Sequence, residues 1–217
     1  MASRVVFVAG LTHSGSTVLD LALGSHPQLI GLGEVVPLLR PGNAMLEEPD
    51  RVCTCGERLE DCCFWSVARA ELRRDPKAAL PQRYRRLMEV FAEVFGRDRV
   101  PVDSSKSLGA LRIAAAVPAL QVEVLHLIRD VRSWTISRLD TDIRRREFTL
   151  RALYAKHGGG VWRPFLLRNS DARFVVWYRG NRRIQEFVRE RNLPAFQLGY
   201  EEFSLDPGKL IGEICRF

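Results

Sequence analysis

The sequence has no apolar run long enough to cross a membrane, and we expect no secretory leader, because residues 1–4 lead directly into an apolar segment that begins at Val5. Internal repeats and low-complexity tracts are also missing. These absences exclude membrane-spanning and repeat architectures. We therefore expect a soluble, cytoplasmic protein whose residues 1–217 form a single domain, since this length suffices to bury a core.

Acidic side chains are in the minority: the chain has 26 Asp and Glu against 33 Lys and Arg, which gives a net charge of +7. A basic excess favours anionic ligands such as nucleotides, sulfated or phosphorylated substrates, or nucleic acid. It is equally consistent with arginines spread over solvated helix faces, such as Arg83, Arg85 and Arg86 in one predicted helix. Charge alone therefore assigns no ligand.

Cysteine is scarce and unevenly placed. Four of the five cysteines fall within eleven residues, in Cys53-Thr54-Cys55-Gly56 and Cys62-Cys63. They belong to a polar insert, residues 41–65, which Phe64-Trp65 should anchor on the core. Three interpretations stay open, namely packing thiols, a disulfide and metal ligands. The spacing differs from the usual Cys-x-x-Cys pairs of zinc sites, and a cytoplasmic location would keep thiols reduced.

A glycine loop near the start of the chain lacks one expected lysine. An apolar strand pattern leads to a loop between Gly10 and Gly15, and a helical pattern follows. Such a loop can cradle an anion on its amides and on the helix start, although a plain strand-to-helix turn is the alternative. The spacing fits the triphosphate-binding motif G-x-x-x-x-G-K-[ST] through Thr17, but Ser16 replaces the lysine that contacts the β- and γ-phosphates. The loop therefore predicts an anion other than a triphosphate.

Four further strand patterns alternate with helical ones along the chain. The patterns cover residues 29–33, 99–106, 122–128 and 193–198, and the second of them precedes a helix predicted at 108–117. This alternation predicts an α/β fold whose central, mostly parallel sheet has about five strands flanked by helices.

Three side chains with useful chemistry follow these strands. In open α/β sheets, ligands bind outside the carboxyl ends of the strands. Glu34 therefore stands where a catalytic carboxylate would lie, Lys106 where a cation would face an anion, and Arg129 where a guanidinium would bind a phosphate. Solvated loop residues are the alternative for Glu34 and Lys106, with Ser104 or Ser105 then capping the next helix.

Two other features also leave alternatives open. Asp130 fits a helix cap better than a catalyst, but an apolar strand that ends in Asp is also typical of the acid that holds Mg²⁺ in nucleotide hydrolases. Three consecutive glycines, 158–160, make the segment 149–171 a candidate mobile lid or a flexible connection.

Four motifs follow one another along the chain: Thr12-His13-Ser14-Gly15-Ser16-Thr17, Val102-Asp103-Ser104-Ser105-Lys106, His126-Leu127-Ile128-Arg129-Asp130-Val131-Arg132 with Ser137, and Tyr200-Glu201-Glu202-Phe203. Together they resemble the sulfotransferase family that uses 3′-phosphoadenosine 5′-phosphosulfate (PAPS). The cysteine insert is similar to one in the bacterial branch that includes tyrosylprotein-sulfotransferase-like enzymes. The resemblance covers essentially the whole chain and implies a three-layer, P-loop-like fold.

The resemblance also implies site residues and substrates. It implies transfer of a sulfuryl group from PAPS to a hydroxyl or amine of a small-molecule, carbohydrate or peptide acceptor, with no metal and no nucleic-acid partner. Thr12, His13, Ser14, Gly15, Ser16 and Thr17 would then bind the 5′-phosphosulfate. Arg129 and Ser137 would hold the 3′-phosphate. Glu34 corresponds to the general base, and Lys106 to a lysine that contacts the transferring sulfonate.

Two departures from the family pattern affect these expectations. His13 stands where the family usually has Lys or Arg, and an imidazole carries only a partial positive charge near neutral pH. We nevertheless expect His13 to stabilise the leaving phosphate together with Lys106. Relatives also continue past the final helix into a segment that closes over the cofactor, so we expect that segment to be missing here.

Two other functions compete with sulfuryl transfer. A P-loop small-molecule kinase would need ATP and Mg²⁺, and Ser16 counts against it. A non-catalytic basic domain that binds nucleotides or nucleic acid would bind in a salt-sensitive way and would not respond to PAPS.

Overall fold

The computed structural model describes residues 4–40, 43, 48, 51–53, 55–144 and 170–217. At its centre lies a sheet of five strands in which every pairing is parallel. The strands are β1 (Arg4–Gly10), β2 (Leu29–Gly31), β3 (Val100–Lys106), β4 (Gln121–Ile128) and β5 (Ala195–Gly199). Their order across the sheet is β2-β3-β1-β4-β5, so the first strand of the chain occupies the middle of the sheet.

Helices connect these strands. In chain order they are α1 (Ser16–Gly24), α2 (Val35–Leu38), α3 (Trp65–Arg74), α4 (Leu80–Phe95), α5 (Leu108–Ala115), α6 (Val131–Arg144), α7 (Ser170–Glu190), α8 (Tyr200–Leu205) and α9 (Pro207–Ile214). None of the helices in the described ranges has the length and apolar character that a membrane crossing requires.

The side chains of β1 alternate between two apolar layers. Val5 and Phe7 are fully buried in one layer with residues of α2, α3, α4, α5 and α7, whereas Val6 and Val8 join the other with residues of α1, α8 and α9. Because helices cover both faces, a central strand carries a continuous apolar run rather than an apolar–polar alternation. The resulting three-layer architecture confirms the predicted α/β fold.

Aromatic packing anchors the described part of the cysteine-containing insert. Phe64 and Trp65, at its end, are both buried. The ring of Phe64 meets Phe91 edge-on, at 6.2 Å between centroids, and lies 5.7 Å from Phe95. The prediction that this pair holds the insert on the core is confirmed.

Helix α5 begins at Leu108, as predicted, and ends at Ala115, two residues early, but its capping residue differs from the alternative that the sequence left open. Strand β3 continues through Lys106, which leaves Ser104 and Ser105 inside the strand rather than at a helix cap. Ser107 caps the helix instead, because its hydroxyl oxygen accepts a hydrogen bond from the Ala110 amide at 3.2 Å. The predicted strand 29–33 likewise ends early, at Gly31. The predicted lid, 149–171, lies outside the described residues except for its last two positions.

Arg83 was predicted to be solvated, and this is wrong. Its side chain is buried and donates to the carbonyl oxygens of Leu39 (2.6 Å), Leu72 (3.0 Å) and Asp75 (2.9 Å). These acceptors lie at the ends of α2 and α3, where carbonyl groups have no acceptor role within their own helix. Arg83 therefore ties both helix ends to α4.

Candidate active site

The carboxyl ends of β1, β3 and β4 lie side by side. In the register of the sheet, Ala9 pairs with Lys106 on one side and Gly10 pairs with Leu127 on the other. A Cβ atom on Gly10 would lie 2.7 Å from the Leu127 carbonyl oxygen, so this close approach requires glycine. The loop after β1 therefore emerges between Lys106 and Arg129, which follows β4 directly.

The loop after β1 has an unusual backbone, with two residues in the left-handed region. His13 has φ +74° and Gly15, the N-cap of α1, has φ +93°. The Ser14 amide closes the turn by donating to the Leu11 carbonyl at 3.1 Å. The amides of Ser16 and Thr17 begin α1, where N–H groups have no acceptor within the helix and the dipole is positive. The loop is thus suited to bind an anion.

Hydrogen bonds from distant parts of the chain hold this loop in place. Trp134 Nε1, on α6, donates to the Thr12 carbonyl at 2.8 Å. Arg129 Nη1 donates to the His13 carbonyl at 3.0 Å, and Trp177 Nε1, on α7, donates to the Arg129 carbonyl at 2.8 Å. The two tryptophans were not predicted as site residues, because a tryptophan in a helical pattern indicates core packing.

Arg129 has one guanidinium nitrogen without a hydrogen-bond acceptor in the described part of the chain. Its guanidinium carbon lies 4.8 Å from the centre of the Tyr200 ring, which provides a cation–π contact. Its Nε atom is buried and has no hydrogen-bond acceptor within the described ranges. A buried donor of a charged group is costly unless an acceptor satisfies it. The position therefore suits a phosphate or sulfate oxygen. Tyr200 begins the fourth of the sequence motifs but was not predicted as a site residue, although it follows β5 at the same edge of the sheet.

Glu34 and Lys106 form an ion pair at the neighbouring part of this edge. Glu34 Oε1 contacts Lys106 Nζ, and the side chains are 47% and 15% exposed. The lysine is therefore largely enclosed while the carboxylate is open to a substrate. Lys106 also has a left-handed backbone, at φ +51°, which is uncommon for a non-glycine residue and costs free energy. The predicted catalytic acid and lysine are thus brought together.

Two hydrogen bonds join strand β3, which ends at Lys106, to the segment that carries Glu34. The Ser104 amide donates to the Gly33 carbonyl at 2.9 Å. The Val36 amide donates to Ser105 Oγ at 2.9 Å, and this bond is buried. Both bonds flank Glu34 in sequence, so they fix its backbone relative to β3.

Two buried carboxyl groups support the same loops. Asp103, fully buried on β3, accepts hydrogen bonds from Tyr84 Oη and from the Ser105 amide, each at 2.8 Å. Burial raises the pKa of Asp103 to about 6. Burial also raises the pKa of Asp20, on α1, to about 6. Hydrogen bonds with Gly33 and Ser104 lower this pKa, but the effect of burial is larger. Periodicity in the sequence gives no sign of either acid, because both lie within otherwise apolar patterns.

A sulfotransferase family model matches residues 5–217. The chain belongs to the sulfotransferase family. It is accordingly an enzyme that transfers a sulfuryl group, as the sequence motifs predicted. No curated protein matches the chain significantly.

Three solved structures are similar to this sulfotransferase. The sulfotransferase domain of the olefin synthase from Synechococcus PCC 7002 shares 21% identity at a TM-score of 0.60, over 98% of this chain and 72% of that one. The sulfotransferase domain from the curacin biosynthetic pathway shares 22% identity at a TM-score of 0.58, again over 98% of this chain and 72% of that one. A sulfotransferase from Alicyclobacillus acidocaldarius shares 19% identity at a TM-score of 0.53, over 100% of this chain and 81% of that one. At these identities the likeness shows the shared fold.

Not every predicted site residue of the sulfotransferase meets the others. Ser137 lies half-buried on α6, where its carbonyl oxygen accepts from Thr141 Oγ1 at 3.1 Å. Within the described residues, its hydroxyl makes no hydrogen bond to another predicted site residue. In the loop, Ser14 and Ser16 are buried, whereas Thr12 and Thr17 are exposed.

Asp130 caps α6, as one of its two interpretations predicted. Its Oδ1 accepts from the amides of Arg132, at 2.9 Å, and Ser133, at 3.4 Å. The Arg132 side chain also donates to it at 3.0 Å, and these bonds hold the pKa of Asp130 below its usual value. The Asp130 carboxylate thus accepts hydrogen bonds from the first turn of α6.

The contact between Gly15 and Tyr200 allows a stability prediction. A Cβ on Gly15 would lie 2.3 Å from two ring carbons of Tyr200, at a backbone φ of +93°. Gly33 has a similar backbone, at φ +68°, but nothing within 4 Å of its Cβ position. We expect Gly33→Ala to cost about 1 kcal/mol of unfolding free energy and Gly15→Ala at least about 2 kcal/mol, measured by urea denaturation. Equal costs would mean that the ring does not constrain the loop.

Asp103 should make stability depend on pH. Its pKa is about 6 in the folded protein against 3.8 for an ordinary aspartate, so folding favours the protonated form. This contribution is fully present at low pH and is lost as pH rises through about 6. Between pH 4.5 and 7.5, the unfolding free energy of the wild-type protein should fall by about 2 kcal/mol more than that of the Asp103→Asn variant.

Urea denaturation at the two pH values measures this difference. Glu89→Gln, which removes a half-exposed carboxylate paired with Arg85, should retain the wild-type pH dependence. If Asp103→Asn also retains it, Asp103 is not the titrating group.

Proposed function

We propose that this sulfotransferase takes its sulfuryl group from PAPS and transfers it to a hydroxyl or amine. The observation that carries the proposal is the position of Arg129. Its Nη1 holds the backbone of the anion-binding loop at His13, while its buried Nε is left without an acceptor in the described part of the chain. One side chain thus links two places for anionic groups, as a nucleotide with phosphates at its 3′ and 5′ positions requires.

The loop residues fit the 5′ end of such a nucleotide. Amides of the loop and of the α1 start would bind the phosphosulfate, and the hydroxyls of Ser14, Ser16 and Thr17 would add donors. Without a lysine at position 16, the loop has no cation for a triphosphate. Arg129 would bind the 3′-phosphate, helped by Ser137 about two turns further along α6.

Glu34 and Lys106 would act on the acceptor. PAPS, when bound, supplies an activated sulfur whose bond to the 5′-phosphate oxygen breaks as the bond to the acceptor forms. The acceptor oxygen or nitrogen must then lie between a base on one side and the sulfonate on the other. Glu34 would be the base, and Lys106 would be the cation that contacts the sulfonate. The two side chains contact each other, so both groups lie next to the place where the acceptor would bind.

Each proton and charge then has a place. Glu34 takes the proton that the acceptor loses, and Lys106 stabilises negative charge on the sulfonate oxygens. His13 would donate a hydrogen bond to the departing phosphate. The chain's own contribution is therefore positioning and electrostatic stabilisation, as in phosphoryl transfer.

Asp130 argues against the kinase alternative. A kinase needs a carboxylate that can hold Mg²⁺ near the loop, but the Asp130 carboxylate is bonded to the start of α6 and to Arg132.

A thermal-shift comparison tests the proposal without knowledge of the acceptor. The desulfated product, 3′-phosphoadenosine 5′-phosphate (PAP), should raise the melting temperature more than ATP with Mg²⁺ or single-stranded DNA at equal concentration. A larger shift with ATP and Mg²⁺ would favour a kinase. A salt-sensitive shift with DNA and none with PAP would favour a nucleic-acid-binding domain.

A further inference from the structure

Three cysteines converge in the insert before α3, among residues that the proposed active site does not include. The Sγ atoms of Cys53, Cys55 and Cys62 all lie within 4.8 Å of one another. None of the five cysteines forms a disulfide in the structure. Cys62 is buried, Cys53 is half-buried and Cys55 is exposed, so the group lies at the edge of the core with one side open to solvent.

Local backbone structure creates this convergence. Val52 and Arg58 form an antiparallel bridge, which folds the intervening residues into a tight hairpin. The Cys53 amide donates to the Glu57 carbonyl at 2.8 Å, and the Gly56 amide donates back to the Cys53 carbonyl at 2.9 Å. Gly56 adopts φ +93°, which favours glycine. The hairpin thereby turns Cys53 and Cys55 toward one another although the spacing is Cys-x-Cys.

A second turn brings the third cysteine to the hairpin. The Cys62 amide donates to the Arg58 carbonyl at 2.9 Å, and the Cys62 carbonyl accepts from the Ser66 amide, in the first turn of α3, at 3.0 Å. Cys62 therefore belongs to the rigid helix start that Phe64 anchors on the core. The cluster joins a surface hairpin to this anchored element.

We propose that Cys53, Cys55 and Cys62 bind one Zn²⁺ ion. Thiolates are soft ligands that select zinc among the available divalent ions. A Zn–S distance of about 2.3 Å puts tetrahedral sulfur ligands roughly 3.8 Å apart, so small side-chain rotations suffice. On binding, each thiol releases its proton to the solvent, and a water on the exposed side of Cys55 supplies the fourth ligand. No oxidant is required.

The two other interpretations of the cysteines explain less of the geometry. Packing accounts for buried Cys62 but not for exposed Cys55. A disulfide would join two of the sulfur atoms and leave the third, and it would need an oxidant. A metal ion uses all three sulfur atoms at once. The site would stabilise the insert and is independent of the proposed sulfuryl donor.

Zinc content of the purified protein tests the proposal. We expect about one zinc per chain by elemental mass spectrometry, and a thiolate-to-cobalt charge-transfer band after exchange with Co²⁺. Cys62→Ser should reduce the zinc to near zero. Because a change at buried Cys62 can impair folding, exposed Cys55→Ser is the second variant, with the same expected loss. Cys215→Ser, which alters an exposed cysteine near the C-terminal end, should retain the metal.

The contrary results are equally clear. Reduced chains that hold no zinc after incubation with Zn²⁺, and show no charge-transfer band with Co²⁺, would overturn the proposal. So would zinc that stays bound in both Cys55→Ser and Cys62→Ser, or a disulfide between two of the three cysteines in the protein as purified. None of these results bears on PAP binding, so failure here leaves the proposed function intact.

Discussion

Replacing Glu34 with glutamine should lower the rate of sulfuryl transfer by about 100-fold or more. Glutamine has the same shape and can still contact Lys106 through its amide oxygen, but it cannot take a proton from the acceptor. The Glu34 carboxylate is half-exposed and lies against Lys106, so it is accessible to an acceptor and next to the cation expected at the sulfonate. Transfer from labelled PAPS, with the best acceptor from a screen of hydroxyl and amine compounds, measures the effect.

A matched variant separates this effect from the loss of an ion pair. Glu89→Gln, on α4, also removes a glutamate paired with a basic residue, since Glu89 lies 3.6 Å from Arg85. Its transfer rate should equal that of the wild type. PAP affinity should be unchanged in Glu34→Gln, because Glu34 is assigned to the acceptor and not to the nucleotide. An unchanged transfer rate in Glu34→Gln would contradict its assignment as the base.

Arg129→Ala should weaken PAP binding by roughly 10- to 100-fold, the loss expected for a buried, charge-assisted hydrogen bond to a phosphate. The guanidinium lies on the Tyr200 ring, and its buried Nε has no hydrogen-bond acceptor in the described part of the chain. Alanine removes the charge and the hydrogen bond to the His13 carbonyl together. Titration calorimetry with PAP measures the change.

Arg132→Ala provides the control for Arg129. Arg132 is exposed and pairs with Asp130. The Arg132→Ala substitution therefore removes one positive charge from the same segment, as Arg129→Ala does, but leaves the loop after β1 unchanged. We expect its PAP affinity to stay close to that of the wild type. Adenosine 5′-phosphate, which has no 3′-phosphate, should lose less affinity than PAP in Arg129→Ala. An unaltered PAP affinity in Arg129→Ala would count against the 3′-phosphate assignment.

The sequence was sufficient to predict which strands exist and which side chains share an edge. Parallel strands place their carboxyl ends together, so Glu34 and Lys106 could be predicted to lie at the same edge of the sheet, and the structure brings them into contact although 72 residues separate them. The helix predicted at 108–117 likewise begins at its observed first residue, Leu108. These predictions succeed because they depend on local patterns and on one rule of topology.

The residues that hold the site were harder to predict. Trp134 and Thr12 are 122 residues apart, and Tyr84 and Asp103 are 19 residues apart on different elements. Such hydrogen bonds depend on the tertiary arrangement and leave no periodic signal. Arg83 shows the same limit, since an arginine among other arginines on a helix looks solvated until its carbonyl acceptors are known.

Position 13 gains a role that does not depend on its side chain. His13 has a left-handed backbone and presents its carbonyl oxygen to Arg129, which any residue able to adopt that conformation could do. The replacement of the usual basic residue by histidine therefore leaves the link between the loop and Arg129 in place. Stabilisation of the leaving phosphate by the imidazole stays a prediction.

The most direct test of the proposed donor is a calorimetric comparison of PAP with adenosine 5′-phosphate on the wild-type protein. The two ligands differ only in the 3′-phosphate that Arg129 is proposed to bind. We predict that PAP binds at least about 10-fold more tightly, as one additional charge-assisted contact would provide. Equal affinities would contradict the account.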